Sequence, residues 1–253
     1  MITFDGIRKA FGARHVLDGV TVNVAAARVT ALVGPNGSGK TTLIKILLGL
    51  THPDAGVISI GGTPVDVTGS YRSQVGYMPQ AANFPSHLRV GEIVELVTAL
   101  RGGQARDESL LDAFGLRADW DRPVGTLSGG TRQKLNASIA MMFAPSVLVL
   151  DEPTAGLDPV AAATLRDRVR RERDRGRAVL ITSHVLSELE ELADDVTFIC
   201  DGTVRFAGSI AQLREATGES RVEPAIVSLM RSVRRADPVS DSAVAPGVAT
   251  EPG

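Results

Sequence analysis

The segment Gly34–Thr42, GPNGSGKTT, constrains the fold of this chain more than any other. It matches the pattern G-x-x-x-x-G-K-S/T and stands between a predicted buried strand (Val29–Val33) and a predicted helix (Thr41–Leu48). In that context the glycines let backbone N–H groups wrap nucleotide phosphates, Lys40 adds a positive charge, and the Thr41 hydroxyl can bind Mg²⁺. The alternative is a chance match in a structural turn, and the flanking strand and helix argue against it.

Short apolar runs alternate with helical patterns along much of the chain, which is typical of a mostly parallel, doubly wound α/β sheet. Further buried strands are predicted at Val147–Leu150, Val179–Thr182 and Val196–Ile199. Helices are predicted between them at Val160–Arg175 and Val185–Leu192.

Two regions depart from that alternation. The first thirty residues and Gly56–Val65 carry short alternating strands with glycine-rich turns, which predict a small antiparallel sheet. Residues 81–144 carry apolar residues at helical spacing, which predicts a helical subdomain inserted into the main sheet. The predicted division is 1–218 for the α/β domain, 219–235 for a C-terminal helix (Pro224–Arg235 being its amphipathic part) and 236–253 for a disordered tail.

Composition narrows the classes of partner. With a net charge of −2 and 4% aromatic residues, the chain offers neither a basic surplus nor stacking platforms for nucleic acid. The charge run Arg166–Arg177 mixes both signs at helical spacing, which favours a solvated helix face. The single cysteine, Cys200, is expected to be a small buried hydrophobe in a reducing compartment. No window reaches the roughly 20 apolar residues that span a bilayer, so we expect a soluble, cytoplasmic protein whose membrane role requires a partner.

The run Val147–Glu152, VLVLDE, is a predicted strand that ends in two carboxylates. An acid at the carboxyl end of a strand lands beside the phosphate loop of a neighbouring strand, where Asp151 can hold Mg²⁺ through water. Glu152 points elsewhere and can polarise an attacking water as a general base. The alternative is that both acids cap the turn before Pro153.

A second phosphate-binding segment lies at Leu127–Lys134, LSGGTRQK. Ser-Gly-Gly at the start of a helix presents a hydroxyl, free backbone N–H groups and the positive end of the helix, which together make an anion site. The segment is too far along the chain from Gly34–Thr42 to belong to the same loop. One chain with two half-sites for phosphate therefore predicts that two chains close over shared nucleotide.

In this order and at these spacings, GPNGSGKTT, LSGG and VLVLDEPTAGLDP resemble the motifs of the ATP-binding subunits of ABC transporters, over residues 2–210. The resemblance implies an α/β fold: a P-loop NTPase core with a mostly parallel sheet, an N-terminal antiparallel β subdomain and an inserted α-helical subdomain. It also implies binding of ATP and Mg²⁺, ATP hydrolysis, a dimer of two copies, and a membrane-spanning permease as partner at the cytoplasmic face of the membrane.

The resemblance further assigns roles to single residues. Gln80, in YMPQ, would reach Mg²⁺ and the attacking water, and Phe11 would stack on adenine; taken singly, each would be read as a surface or core residue. His184 would hydrogen-bond the γ-phosphate and orient water, and Asp158 would communicate across the dimer. The implied ATP-binding set is Phe11, Val16, Gly34, Pro35, Asn36, Gly37, Ser38, Gly39, Lys40, Thr41 and Thr42; the catalytic set is Glu152, His184 and Gln80; the Mg²⁺ set is Thr41, Gln80 and Asp151; the contacts to the partner's ATP are Ser128, Gly129, Gly130 and Asp158.

Three positions depart from the wider family's pattern. Thr131 and Lys134 stand where Gln and Arg are more common, and Phe11 stands where Tyr is commoner. Phe keeps the ring face, so binding of adenine should survive. With Thr131 in place of the more common Gln, the chain lacks a side-chain amide near the expected dimer interface.

A finer resemblance, carried by TLSGGTRQKLNASIAMMF, LITSHVLSELEELADDV and EPAIVSLMRS, is to the ATPase of copper-processing transporters that assist maturation of nitrous oxide reductase. Two rival functions stay open: an ABC-type ATPase that acts on nucleic acid or the ribosome, and a nucleotide-binding regulatory module without turnover.

Overall fold

The computed structural model of the chain describes residues 1–66, 68–183 and 185–236. The predicted switch histidine, His184, lies outside the described residues, and so does all but the first residue of the predicted tail (236–253). Within the described residues the strands are β1 (Ile2–Phe11), β2 (Arg14–Val24), β3 (Arg28–Val33), β4 (Ala55–Ile60), β5 (Thr63–Pro64), β6 (Val75–Met78), β7 (Val147–Asp151), β8 (Ala178–Thr182), β9 (Asp195–Cys200) and β10 (Thr203–Ser209). The α-helices are α1 (Lys40–Leu47), α2 (Val90–Leu100), α3 (Ser109–Ala113), α4 (Gly129–Met141), α5 (Pro159–Asp174), α6 (Leu186–Leu192), α7 (Ile210–Thr217) and α8 (Val222–Ala236).

The main sheet has six strands in the order β10-β9-β3-β8-β7-β6. All neighbours in it are parallel except β10, which pairs antiparallel with β9. Successive side chains of β7 and β8 point to opposite sides of the sheet, and both sides are covered by other elements. These apolar strands are therefore buried on both faces. Leu148 and Leu150 pack in the layer that holds α5 to α8, whereas Val147 and Val149 pack in the layer that holds α1. The predicted α/β fold with a mostly parallel sheet is confirmed.

A smaller antiparallel sheet, in the order β2-β1-β4-β5, covers the α1 side of the main sheet. Its inward side chains, such as Phe4 and Ile58, share a core with Leu43 and Leu47 of α1. The backbone N–H of Asp18 joins the two sheets by donating to the carbonyl of Gly202, 2.9 Å away. This is the antiparallel unit predicted from the N-terminal sequence.

A helical region that contains α2, α3 and α4 is inserted between β6 and β7, which are adjacent parallel strands. It has a core of its own, in which Ile93 and Val94 of α2 pack with Leu111 of α3 and Leu135 of α4. The predicted inserted helical subdomain is therefore part of the fold, and the domain bounds drawn from the sequence remain predictions.

Strand order differs from the sequence prediction at one important place. The acid-bearing strand β7 is not the neighbour of β3, which carries the phosphate loop, because β8 pairs with both and lies between them. The expectation of adjacency was wrong, since local patterns do not encode strand order. Strands β6 and β10 and helix α7 were not predicted.

The charge run on α5 is also not a purely solvated face. Glu172 is fully buried and forms ion pairs with Arg168, Arg175 and Arg177. Arg168 is nearly buried as well and reaches Asp107, just before α3, at 2.7 Å. The run therefore ties α5 to the start of the helical region, because a buried carboxylate needs compensating charge. Cys200 is buried, as predicted.

Candidate functional site

The loop between β3 and α1 has a backbone that only glycine can supply. Gly39, which precedes the first residue of α1, has φ +105°, and a Cβ there would lie 2.5 Å from Cδ2 of Leu17. At Gly34 a Cβ would lie 2.0 Å from the carbonyl oxygen of Ile199. The loop thus packs its backbone tightly against its neighbours and turns directly into the helix, whose N-terminal end is the kind of position where anions bind.

Lys40 lies over this loop and is fixed by it. Its Nζ donates to the carbonyl oxygens of Gly34 and Pro35, at 2.7 and 3.0 Å. Burial lowers the pKa of Lys40, and the nearby carboxylates of Asp151 and Glu152 oppose that shift. The ammonium is therefore bonded to the loop and close enough to the two acids at the end of β7 to feel their charge.

A cavity of about 500 Å³ opens above the loop. It brings together most of the residues predicted to bind ATP and Mg²⁺, and three residues that were not predicted: Arg14, Thr182 and Ser183. The lining residues are Phe11, Arg14, Val16, Asn36, Gly37, Ser38, Gly39, Lys40, Thr41, Thr42, Gln80, Asp151, Glu152, Thr182 and Ser183.

The acidic end of β7 is held by Thr182 at the end of β8. The Thr182 hydroxyl donates to Oδ1 of Asp151, and its carbonyl and hydroxyl oxygens both accept the backbone N–H of Glu152 at 3.1 Å. Glu152 has φ +49°, a left-handed conformation that is uncommon for a residue with a side chain. Such strain occurs where the surroundings fix a functional side chain in place.

Phe11 stands at the mouth of the cavity with 54% of its surface exposed. Nζ of Lys9 lies 5.3 Å from the centre of its ring, and Asp54 accepts hydrogen bonds from Lys9 Nζ at 2.7 Å and Ala10 N at 2.6 Å. The Lys9–Asp54 pair therefore supports the end of β1 and the ring that it carries.

The Ser-Gly-Gly segment does not line this cavity. Ser128 precedes the first residue of α4, and its Oγ accepts the N–H of Thr131 at 3.1 Å and contacts the Thr131 hydroxyl at 2.9 Å. Gly129 lines a second cavity of about 500 Å³, beside α4. Gln80 lines both cavities, so it lies between the phosphate loop and the helical region.

Asp158, the remaining residue predicted to contact the partner chain, is at the start of α5. Its Oδ1 accepts the N–H of Ala161 at 2.8 Å, and its Oδ2 accepts Nζ of Lys134 at 2.9 Å. The side chain of Lys134 lowers the pKa of Asp158, with help from the backbone N–H of Ala161. The structure thus separates most of the predicted residues into a cavity set and an outlying set (Ser128, Gly129, Gly130 and Asp158). Gly34 and Pro35 do not line the cavity, and their carbonyl oxygens accept hydrogen bonds from Lys40 instead.

In the parts of the chain that the structure describes, no helix is both long and apolar enough to cross a membrane.

Comparison with known proteins bears on what this arrangement does. The family model described as ABC transporter matches residues 17–155. The chain is 41% identical over 207 residues to the Nod factor export ATP-binding protein I of Burkholderia lata, covering 79% of this chain and 68% of that protein. It is 37% identical over 229 residues to the daunorubicin resistance ATP-binding protein DrrA3 of Streptomyces coeruleorubidus, covering 88% of this chain and 72% of that protein.

Solved structures of ABC transporter subunits share the fold of this chain. One described as an ATP binding subunit of an ABC transporter superposes with a TM-score of 0.86 at 28% identity, covering 91% of this chain and 99% of that one. The chain therefore belongs to the ABC transporter family, as one of its ATP-binding, ATP-hydrolysing subunits.

Proposed function

We propose that this chain binds Mg-ATP between the phosphate loop of one copy and the Ser128–Gly130 segment of a second copy, and that hydrolysis there powers a separate membrane permease. The observation that carries the proposal is the division of the predicted residues. The cavity holds Lys40, Asp151 and Glu152, whereas Ser128 lies outside it at the start of α4. A second chain can supply the missing half without rearranging the first.

The phosphate tail of ATP would lie along the loop, where the start of α1 lines the cavity and could offer its backbone N–H groups. Lys40 Nζ donates hydrogen bonds to the carbonyl oxygens of Gly34 and Pro35. When ATP binds, Lys40 would give up one of these bonds and donate to phosphate oxygens instead. Its partial burial strengthens that interaction, because a buried charge gains more from an opposite charge than an exposed one. Phe11 would stack on the base at the mouth of the cavity.

The residues present fit Mg²⁺. Thr41, Gln80 and Asp151 bring a hydroxyl, an amide carbonyl and a carboxylate to one cavity, and Mg²⁺ takes such oxygen ligands. Thr182 fixes the orientation of the Asp151 carboxylate. When bound, the ion would neutralise charge on the β- and γ-phosphates.

Glu152 would accept the proton of the attacking water as general base. Its backbone is held by Thr182 in a left-handed conformation that is uncommon for a residue with a side chain. Two adjacent acids at one strand end would then do different work: Asp151 would bind the metal ion, and Glu152 would act on the water. His184 would orient the same water, a prediction that comes from the family resemblance alone.

The transported molecule is a separate question. The names of the two relatives refer to Nod factor export and daunorubicin resistance. We propose on that basis that the permease moves an organic molecule outward, and that this chain binds the permease at the cytoplasmic face of the membrane. The copper-processing branch stays a prediction, which neighbouring genes for copper handling or nitrous oxide reduction would support.

Mixing two inactive variants tests the shared site. Lys40→Ala removes the phosphate-loop charge. Gly129→Asp places a negative charge at the start of α4, where a Cβ would meet open space and where an acid suits the helix dipole, so the fold should tolerate it. A mixed dimer has one site with both defects and one intact site.

Each heterodimer should therefore have up to about half of the ATPase activity of the unmodified dimer, because one of its two sites is intact. Adding more of the same variant should restore no activity. Activity that stays at the level of the separate variants would show that Gly129 and Lys40 act on the same nucleotide within one chain.

A further inference from the structure

We infer that Lys134 is a positioning residue that fixes Asp158 to helix α4, so that the Ser128–Gly130 segment and residues 155–158 (the Asp158 loop) are presented to a second copy as one unit. The inference rests on the proposed function, since it concerns the half-site that one copy offers to another.

The first observation is the ion pair. Nζ of Lys134 lies 2.9 Å from Oδ2 of Asp158, and 22% of the lysine side chain and 52% of the aspartate side chain are exposed. The other oxygen of Asp158 caps α5 through Ala161. Both carboxylate oxygens of Asp158 are therefore engaged within the chain, one toward α5 and one toward α4. The carboxylate therefore joins the start of α5 to the second turn of α4.

The second observation is a backbone contact beside the pair. A Cβ at Gly130 would lie 2.9 Å from the carbonyl oxygen of Gly156, so α4 and the Asp158 loop touch where no side chain fits between them. Lys134 is one turn further along α4 than Gly130, and residues four apart lie on the same face of a helix. The glycine contact and the ion pair thus hold the loop at two successive turns of one helix face.

The chemistry explains why a long cation suits position 134. A lysine stem reaches across the helix surface to the loop, and an arginine could span the same gap with a charge-assisted hydrogen bond. Loss of the cation would leave the helix cap on Asp158 intact but free the loop to move relative to Ser128. The two segments that would contact the partner's nucleotide would then move independently, so they would hold that nucleotide in a less precise geometry.

The test uses full-length chains that carry Glu152→Gln, in which ATP should trap the closed dimer. Lys134→Met removes the positive charge of the ion pair. Asp158→Asn removes the negative charge but keeps an amide oxygen as helix cap, and the double variant removes both charges. Arg8→Met is the matched control, because Arg8 pairs with Asp18 on the exposed small sheet at 3.5 Å.

We expect Lys134→Met and Asp158→Asn each to raise the apparent dimer dissociation constant in ATP about tenfold, with the double variant no worse than either one, as for residues that act through one contact. Lys134→Arg should stay within about twofold of the parent. ATP binding by monomers should be unchanged, because Lys134 does not line the phosphate-loop cavity. A merely structural role would instead lower the unfolding temperature and monomer binding together.

Effects that add in the double variant, or that equal those of Arg8→Met, would overturn the inference and leave the proposed function in place. A parent that stays monomeric in ATP at every concentration would overturn the proposed function itself, and the inference with it.

Discussion

Thr182 donates its hydroxyl hydrogen bond to Oδ1 of Asp151, joining the ends of two neighbouring parallel strands at the wall of the cavity. The same hydroxyl accepts the backbone N–H of Glu152 at 3.1 Å. One small side chain that is nearly buried therefore orients the proposed metal ligand and the proposed base together.

Thr182→Val should lower kcat about tenfold, because a hydrogen bond to a charged group is worth roughly 1.5–3 kcal/mol and Asp151 would lose its orientation. Thr182→Ser keeps the hydroxyl and should retain most activity. Steady-state ATPase assays of both variants, with unfolding temperatures measured alongside, separate the two cases. Equal activity in the valine and serine variants would show that the hydroxyl has no part in hydrolysis.

Glu152→Gln should bind ATP and accumulate as a closed dimer, since it keeps the shape of the side chain and loses the base. Light scattering with and without ATP measures the dimer, and phosphate release measures turnover. Normal turnover in this variant would remove Glu152 as the base.

Glu152→Gly should be more stable than Glu152→Gln by about 1 kcal/mol, because glycine adopts the left-handed conformation of this position without strain. Denaturant unfolding in the absence of nucleotide makes the comparison. A glycine variant that is no more stable than the glutamine variant would show that the conformation at 152 carries little strain.

Lys40→Ala should lose nucleotide affinity and ATPase activity together, because it removes a positive charge that is bonded to the phosphate loop itself. Fluorescence titration with a labelled nucleotide gives the affinity. Gly102→Ala provides a comparison at a remote position, although its positive φ will cost some stability. Unaltered nucleotide binding in Lys40→Ala would contradict the assignment of the phosphate loop.

Asp107 gives a pH-dependent prediction. Burial alone would raise the pKa of Asp107, but hydrogen bonds from Ser109 and Arg168 outweigh it and lower the pKa from 3.8 to about 2. A depressed carboxyl pKa stabilises the fold above pH 3.8, and this contribution is lost as the pH falls from 3.8 toward 2.

Asp107→Asn should therefore lower the free energy of unfolding by about 1 kcal/mol near pH 7, after a discount for the exposed third of the side chain. The difference from the parent should shrink below about pH 4. Urea unfolding at pH 7, 4 and 3 provides the measurement, and a difference that is the same at all three would contradict the ion-pair explanation.

The sequence was most informative where chemistry demands particular residues at fixed spacing. Residues 36–42, Asp151 and Glu152 could be placed at one site because a strand, a glycine loop and a helix are encoded locally. Arg14 and Thr182 could not, since a lone arginine or threonine on another strand carries no local signal. Their place in the cavity depends on strand order, which the pattern of apolar residues does not specify.

The same limit explains the missed elements. Strand β6 is only four residues long and contains Gly76. A Cβ at Gly76 would lie 2.0 Å from the carbonyl oxygen of Ala140, so the close packing requires glycine there. The strand therefore lacks an apolar side chain that would have made it recognisable in the sequence. Glu172 looked like one charge among many on α5, and its burial follows from Arg168, Arg175 and Arg177 converging on it in three dimensions.

The insertion of the helical region between β6 and β7 has a mechanical consequence. Because these strands are parallel, the chain leaves β6 at the end of the strands that faces the phosphate-loop cavity, next to Gln80, and re-enters β7 at the opposite end, about 15 Å away along the strand. A force on the helical region thus acts on the two ends of these strands through different connections. The outgoing connection carries Gln80, which lines the phosphate-loop cavity, whereas the returning connection enters β7 at the end of the strand away from that cavity.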